Sequence, residues 1–297
     1  MISNQALLIL FFLGAAFGSF FNVLIYRFKP EKGFFHLPSI KGRSHCPYCK
    51  KKLSWFELIP LFSYLIQLGK CRNCHHKLPF RYFFVEFITA LIFVCVPLFI
   101  FNFYKVGLLS ISPFIFYILS GLWVLVFSVF VLMAFIDKDH YIIPNGLNLF
   151  LFFIGILIVY VKTNINDLIL PFHESFLGHY LLVFSSTQNI ILNHVIGAVA
   201  GAGLFMFLIF ITKGKAVGWG DVKLGFAAGV VLGWPDIALA LMLAFIIGGF
   251  FGGYLLFKKK KKMKDRLPFA PFIIIGCGLS IFWGYQIVHG YFEMLGV

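Results

Sequence analysis

The chain has 297 residues, of which 61% are hydrophobic and only 12% charged. A soluble domain carries nearer a quarter of charged residues, so the composition excludes a soluble globular protein and marks a chain that lives in lipid. The net charge of +14 would by itself suit nucleic acid or an acidic ligand, but in a membrane protein it must first be located along the chain.

Eight apolar stretches are expected to form spans: 2–25, 84–103, 112–136, 146–161, 189–212, 222–234, 236–257 and 268–290. Most approach the roughly 20 residues that cross a ~30 Å hydrocarbon core. The first is long, lacks a basic start and is followed by basic residues, so it reads as a retained helix rather than a signal peptide. The stretch 222–234 is short, and Pro235 interrupts its junction with the next. It reads as a kinked or re-entrant element. The 41 Phe residues suit lipid contact and interhelical packing.

Lys and Arg are distributed with a strong bias. Loop 26–83, the turn at Lys138, segment 213–223 and segment 258–266 together hold 23 of the 25. Only Lys105 and Lys162 fall on the other face. The positive-inside rule then places the basic loops in the cytoplasm and both ends of the chain outside. The run "KKKKKMKDR" (258–266) reads as an orientation anchor touching anionic lipid. The charge therefore calls for no nucleic acid partner.

Loop 26–83 contains "CPYC" (46–49) and "CRNC" (71–74), two CxxC pairs separated by 21 residues. Such pairs offer four thiolates to one tetrahedral zinc ion through Cys46, Cys49, Cys71 and Cys74. A disulfide pair or a redox site is the alternative, and a reducing cytoplasm favours metal. Four thiolates leave no open position for water, so the zinc is expected to be structural. His45, His75 and His76 are expected to flank the site as surface residues. Cys95 and Cys277 fall within spans and are expected to be small core residues.

Of the 11 acids, Glu31, Glu57, Asp167, Glu174, Asp236, Asp265 and Glu293 read as loop residues. Glu86, Asp137, Asp139 and Asp221 lie in or beside spans, where carboxylates are costly and usually functional. Asp137 ends the third span in "IDKDHYIIPN" (136–145), and Asp221 opens the sixth in "GWGDVK" (218–223). The topology puts both at the cytoplasmic edge. Two carboxylates there suit an aspartyl protease that shares a proton between them. Gly218 and Gly220 are expected to use backbone angles closed to other residues and to admit a substrate backbone. Helix capping by both aspartates, or a proton relay in a transporter, remains open on these residues alone.

Together with "GSFFNVLIYR" (18–27), "LIPLFSYLIQLGKCRNC" (58–74), "FRYFFVEFITA" (80–90), "GWGDVKLGFAAGVVLG" (218–233) and "LPFAPFIIIG" (267–276), these blocks resemble the type IV prepilin peptidase family. The resemblance spans nearly the whole chain. It implies an all-α polytopic membrane protein of about eight helices with a small cytoplasmic zinc-binding loop domain. The expected division is a first helix at 1–25, a zinc knuckle at 26–83 and a protease domain at 84–297.

By the same resemblance Asp137 and Asp221 are catalytic, and Gly218, Gly220, Lys223, Pro144 and Asn145 support them, with Asp139 a bystander. Cys46, Cys49, Cys71 and Cys74 match the family's zinc ligands. The implied reaction is cytoplasmic cleavage of a prepilin or pseudopilin leader after a glycine. N-methylation of the new N-terminus with S-adenosylmethionine follows, in the bacterial inner membrane. A leader peptidase without methylation, a proton-coupled transporter and a zinc-bearing scaffold are the competing readings. Phe83 and Ala270 stand where the family commonly has proline and glycine. Nothing resembles a Rossmann glycine fingerprint, and Asn22, Tyr26 and Glu86 are the candidates for the methyl-donor site. Glu86 could instead pair with a loop Arg, and Gly18 and Ser19 could serve helix packing.

Overall fold

The computed structural model describes residues 3–32, 42–105, 112–165, 175–185, 189–214, 217–260 and 267–296. Asp167, Glu174, Lys215, Asp265 and most of the basic run, 261–266, lie outside them. The helices are α1 (Asn4–Arg27), α2 (Phe62–Ile66), α3 (Arg81–Lys105), α4 (Pro113–His140), α5 (Asn145–Ile165), α6 (Leu181–Phe184), α7 (Ile190–Thr212), α8 (Trp219–Leu232), α9 (Asp236–Phe257) and α10 (Ala270–Leu295).

Long apolar runs in lipid must satisfy their backbone within the segment, which leaves the helix as the available form. Polar residues mark where the helices start. Ser3, Ser112 and Asn189 each accept from the amide three residues on, at the entries to α1, α4 and α7. The end of α4 is a left-handed Tyr141 whose N–H returns to the Asp137 carbonyl at 2.8 Å.

Seven of these helices are long and apolar enough to cross a membrane. The eighth expected span is α8, with 14 residues. At 1.5 Å per residue it is about 21 Å long, short of the ~30 Å core. It is too short to cross that core by itself, as its length in sequence suggests. Helix α4 runs through the centre, with Trp123, Phe130 and Met133 fully buried. Around it α1 packs on α3, α9 on α10, and α8 lies between α5 and α7.

Segment 175–185 meets the chain just beyond the C-terminal end of α8. Phe176 and Leu177 are buried. The Trp234 indole donates to the Phe184 carbonyl at 2.8 Å, and Ser185 donates to Asn193 at 2.9 Å. The segment thereby closes the bundle where α8 stops short.

This arrangement corrects two expectations. Asp236 is no loop acid: it is 1% exposed and accepts from Phe176 N at 3.0 Å. Lys162 is not a loop cation either, because it is buried under Phe176 with its ammonium 5.6 Å from that ring. Cys277 is buried as expected, whereas Cys95 is exposed on the outside of α3.

Candidate active site and metal centre

Asp137 lies on the last turn of α4 and is 5% exposed. Its Oδ2 accepts from the Ala270 amide, at the first residue of α10, at 3.2 Å. Asp221 lies on the first turn of α8, and its Oδ2 accepts from Gly218 N at 3.1 Å. The two carboxylates are near enough for their charges to act on each other. Each is held by one backbone donor, which leaves acceptor capacity on both. The bond to Gly218 is the capping geometry that the sequence left open, and it also orients the Asp221 carboxylate.

The supporting residues gather around this pair. Pro144 precedes α5 and its carbonyl accepts the amides of Leu147 and Asn148. Asn145 opens α5 and accepts from the Lys223 ammonium at 2.8 Å, tying α5 to α8. Asp139 pairs with Arg81 at the start of α3. Gly218 and Gly220 depart from expectation. Gly218 has φ −95°, and Gly220 sits within the helix. A Cβ on Gly220 would meet Ile143 at 3.4 Å, an ordinary contact. The resting backbone therefore does not demand glycine at either position. Sequence reasoning missed the Ala270 amide as a donor to Asp137. The signal available was the proline at 271, which starts a helix within the "PFAP" block.

The four cysteines come together. Their sulfurs all lie within 4.8 Å of one another, with Cys46–Cys74 at 3.9 Å and Cys49–Cys71 at 4.0 Å. Zn–S bonds of about 2.3 Å in a tetrahedron put sulfurs about 3.8 Å apart, so the set fits one zinc ion. The two pairs repeat one turn. Cys46 N donates to Lys51 O and Lys50 N returns to Cys46 O. Cys71 N donates to His76 O and His75 N returns to Cys71 O. Lys50 and His75, each just after a CxxC, both have positive φ, 59° and 54°. Among the described residues no histidine joins the cluster. His76 instead lies tilted against Tyr48, with ring centroids 3.7 Å apart.

Backbone N–H groups aim at the sulfurs. The Lys51 N–H is the main reason the Cys49 thiol is brought down to about 7, and the Cys74 N–H does the most to lower Cys71. At Cys74 the His76 N–H pulls down most strongly, but desolvation and the other three sulfurs together push the thiol up to about 11. Four sulfurs this close shed their first protons readily and hold the last one, the behaviour of a site completed by a cation.

Asn22, Tyr26 and Glu86 line one cavity, bounded by the end of α1, the cysteine loop and the start of α3. Asn22 Nδ2 donates to the Tyr82 carbonyl at 2.9 Å. Among the described residues Glu86 has no ion pair with a loop arginine. Its partners are the Leu61 amide at 2.8 Å and the Ser19 hydroxyl.

Two family models match the chain, "Bacterial Peptidase A24 N-terminal domain" over residues 12–100 and "Type IV leader peptidase family" over 123–253. A prepilin leader peptidase/N-methyltransferase of Bacillus subtilis (strain 168) is 30% identical, with 96% of this chain and 98% of the relative covered. Proteins of the same description from Legionella pneumophila and Aeromonas hydrophila are 27% and 28% identical, over 93% and 95% of this chain and 91% and 92% of theirs. No solved structure matches the chain. With both halves matched and a full-length relative on either count of coverage, the chain belongs to the type IV leader peptidase family.

Proposed function

We propose that Asp137 and Asp221 are the catalytic pair of an intramembrane aspartyl endopeptidase. It removes the leader of a prepilin or pseudopilin after a glycine and then N-methylates the new N-terminus. What supports this reading is that two carboxylates, at the end of α4 and the start of α8, lie near enough for their charges to act on each other, with the Ala270 and Gly218 amides donating to them. One carboxylate, ionised, takes a proton from the attacking water. The other, protonated, donates to the scissile carbonyl and later to the leaving amine. The Lys223–Asn145 hydrogen bond ties α8, which carries Asp221, to the start of α5.

The four thiolates would hold zinc as a staple for the loop, with no position left for a reacting water. S-adenosylmethionine supplies the methyl group. The distribution of Lys and Arg supports a cytoplasmic site in the bacterial inner membrane, where that cofactor is available. Lipid surrounds the exposed apolar faces of α7 and α9. The test is incubation of the purified protein with a prepilin and S-adenosylmethionine, read by mass. Cleaved and methylated product is expected. Cleavage alone leaves a plain leader peptidase, and an untouched substrate favours a transporter or scaffold.

A further inference from the structure

Residues 55–68, inside the long loop between α1 and α3, carry an exposed apolar face. Trp55 is 76% exposed, Ile66 70% and Leu68 83%, with Phe62 and Leu65 exposed between them. Ser63, Tyr64 and Gln67 of the same stretch turn inward and line the cavity beneath the loop. A loop surrounded by water would turn its polar side out, and a cluster of this many large apolar side chains marks a surface with a partner.

The position of the stretch says which partner. Leu61 is buried in one cluster with Ala15 of α1 and Ala90 of α3. The Phe62 ring stacks on Phe12 of α1, with centroids 6.3 Å apart. Ala15 and Phe12 stand 12 and 15 residues before Arg27, about 18 and 22 Å of helix. Ala90 stands nine residues after Arg81, about 14 Å along α3. A guanidinium avoids hydrocarbon, so Arg27 and Arg81 mark the edge of the bilayer. The tip of the loop then lies near the middle of a ~30 Å core. Phe12 belongs to the exposed face of α1 that also carries Leu8 and Ile9, and the apolar surface runs on from it to Phe62.

The backbone suits such a place. In hydrocarbon every N–H needs a partner within the protein. The chain turns at Leu61, where φ is 63°, and the Leu61 amide donates to the Glu86 carboxylate at 2.8 Å. Pro60 brings no N–H to satisfy. Phe62 N donates to Pro60 O at 2.7 Å, Ser63 N to Ile59 O at 3.0 Å and Leu65 N to Leu61 O at 3.1 Å. The amides of Gln67, Leu68 and Gly69 likewise return to carbonyls of the same stretch. Exposed Lys50, Lys51 and Lys52 precede it, and Lys70 and Arg72 follow it. That charge complements anionic headgroups.

We infer that residues 55–68 dip into the bilayer as a re-entrant segment. Phe62, Leu65 and Ile66 lie among the acyl chains of the leaflet on the Arg27 side, and the flanking basic residues meet anionic headgroups. The inference is independent of the catalytic reading. It makes the metal-held loop a lipid-anchored element rather than one suspended in water. It also gives the buried acid of α3 a use, since Glu86 supplies the acceptor that lets the chain turn at Leu61 inside hydrocarbon.

The experiment attaches a spin label at Ile66→Cys in full-length protein that carries Cys95→Ser. The protein is reconstituted into vesicles of phosphatidylcholine and phosphatidylglycerol. Cys95→Ser alone reports any label taken up at the metal cysteines. Collisions are read with oxygen, which concentrates among acyl chains, and with a water-soluble nickel chelate. Oxygen should reach the label at 66 several-fold more readily than nickel does. Leu65→Cys should behave alike, and Lys52→Cys should show the reverse. Parental thermal unfolding in detergent shows that each labelled variant is folded. Labels at 65 and 66 that nickel reaches as readily as at 52 put the face in water and overturn the inference. Labels that neither reagent reaches mean that a second copy or another protein covers the face, which overturns it too.

Discussion

Gly197 on α7 and Gly229 on α8 meet backbone to backbone, so that a Cβ on Gly229 would lie 2.2 Å from the Gly197 carbonyl oxygen. One helical turn away the contact repeats, with a Cβ on Gly201 falling 2.2 Å from the Gly225 carbonyl. Small residues four apart let membrane helices approach this closely. Helix α8 is too short to be anchored by both membrane faces, so this seam and the contact with α5 hold it, and with it Asp221. Gly229→Ala is expected to push α8 away and cost about 1–3 kcal/mol by overpacking. Thermal unfolding in detergent and a leader-cleavage assay should fall together. A variant that keeps parental stability and activity would show that the seam can relax.

The dyad itself makes a sharper separation. Asp137→Asn or Asp221→Asn should lower cleavage by about 10³-fold or more, since neither amide can serve as a general base. Both variants should still accumulate in the membrane. Asp139→Asn should stay within about threefold of the parent, because its partly exposed pair with Arg81 is of the kind that contributes only about 0–1 kcal/mol. Substantial cleavage by Asp221→Asn would sink the aspartyl mechanism.

What was legible in the sequence followed from local rules. Apolar runs mark spans because lipid leaves the backbone no alternative, and CxxC turns bring two sulfurs together without help from distant chain. The acids at 137 and 221 stood out because carboxylates next to spans are rare. What was hidden depends on partners far along the chain. Asp236 and Lys162 looked like loop charges until segment 175–185 folded over them. Glu86 invited an arginine, and its neighbours proved to be an amide 25 residues before it and a hydroxyl on α1. Cys95 and Cys277 both fall within apolar spans, and only packing decides that one faces outward. The glycines before Asp221 pointed to unusual backbone angles, yet α8 simply begins there.

Asp236 gives a prediction about stability apart from catalysis. Its carboxylate holds the Phe176 amide, its carbonyl accepts from Ser280 at 3.0 Å, and Lys162 attracts it. Ser280 is ten residues along α10 from Ala270, about 15 Å of helix, so this network is remote from the dyad. Asp236→Ala should strand buried donors and cost about 1–3 kcal/mol or more. Asp236→Asn keeps an acceptor for Phe176 N and should cost less. Cleavage measured well below the unfolding midpoint should change little in either. Loss of activity without loss of stability would assign Asp236 a catalytic part that its position does not suggest.

The metal centre is expected to bind about one zinc per chain and to release it in acid. Zinc binds thiolates, so each thiol that is protonated in the free loop must give up its proton, and affinity falls as pH falls. The Cys49 thiol, brought down to about 7 by the Lys51 N–H, is largely ionised above that pH and competes poorly with protons below it. Cys74, held up at about 11, loses its proton only to the metal, so at least one proton is displaced at any neutral pH. Zinc retention against a chelator should therefore be firm near pH 8 and weaken steadily as pH drops through about 7. Elemental analysis after dialysis at a series of pH values measures this. Replacing Cys46 and Cys49 by Ser should release the metal at every pH and open residues 42–80 to limited proteolysis. Because Cys46 and Cys71 line the cavity beside Glu86, whereas Asp137 and Asp221 are held by α10 and α8, the same replacement should lower methylation of a pre-cleaved pilin more than it lowers leader cleavage. Equal loss of both activities would mean that the loop supports the dyad directly and that the two sites are one.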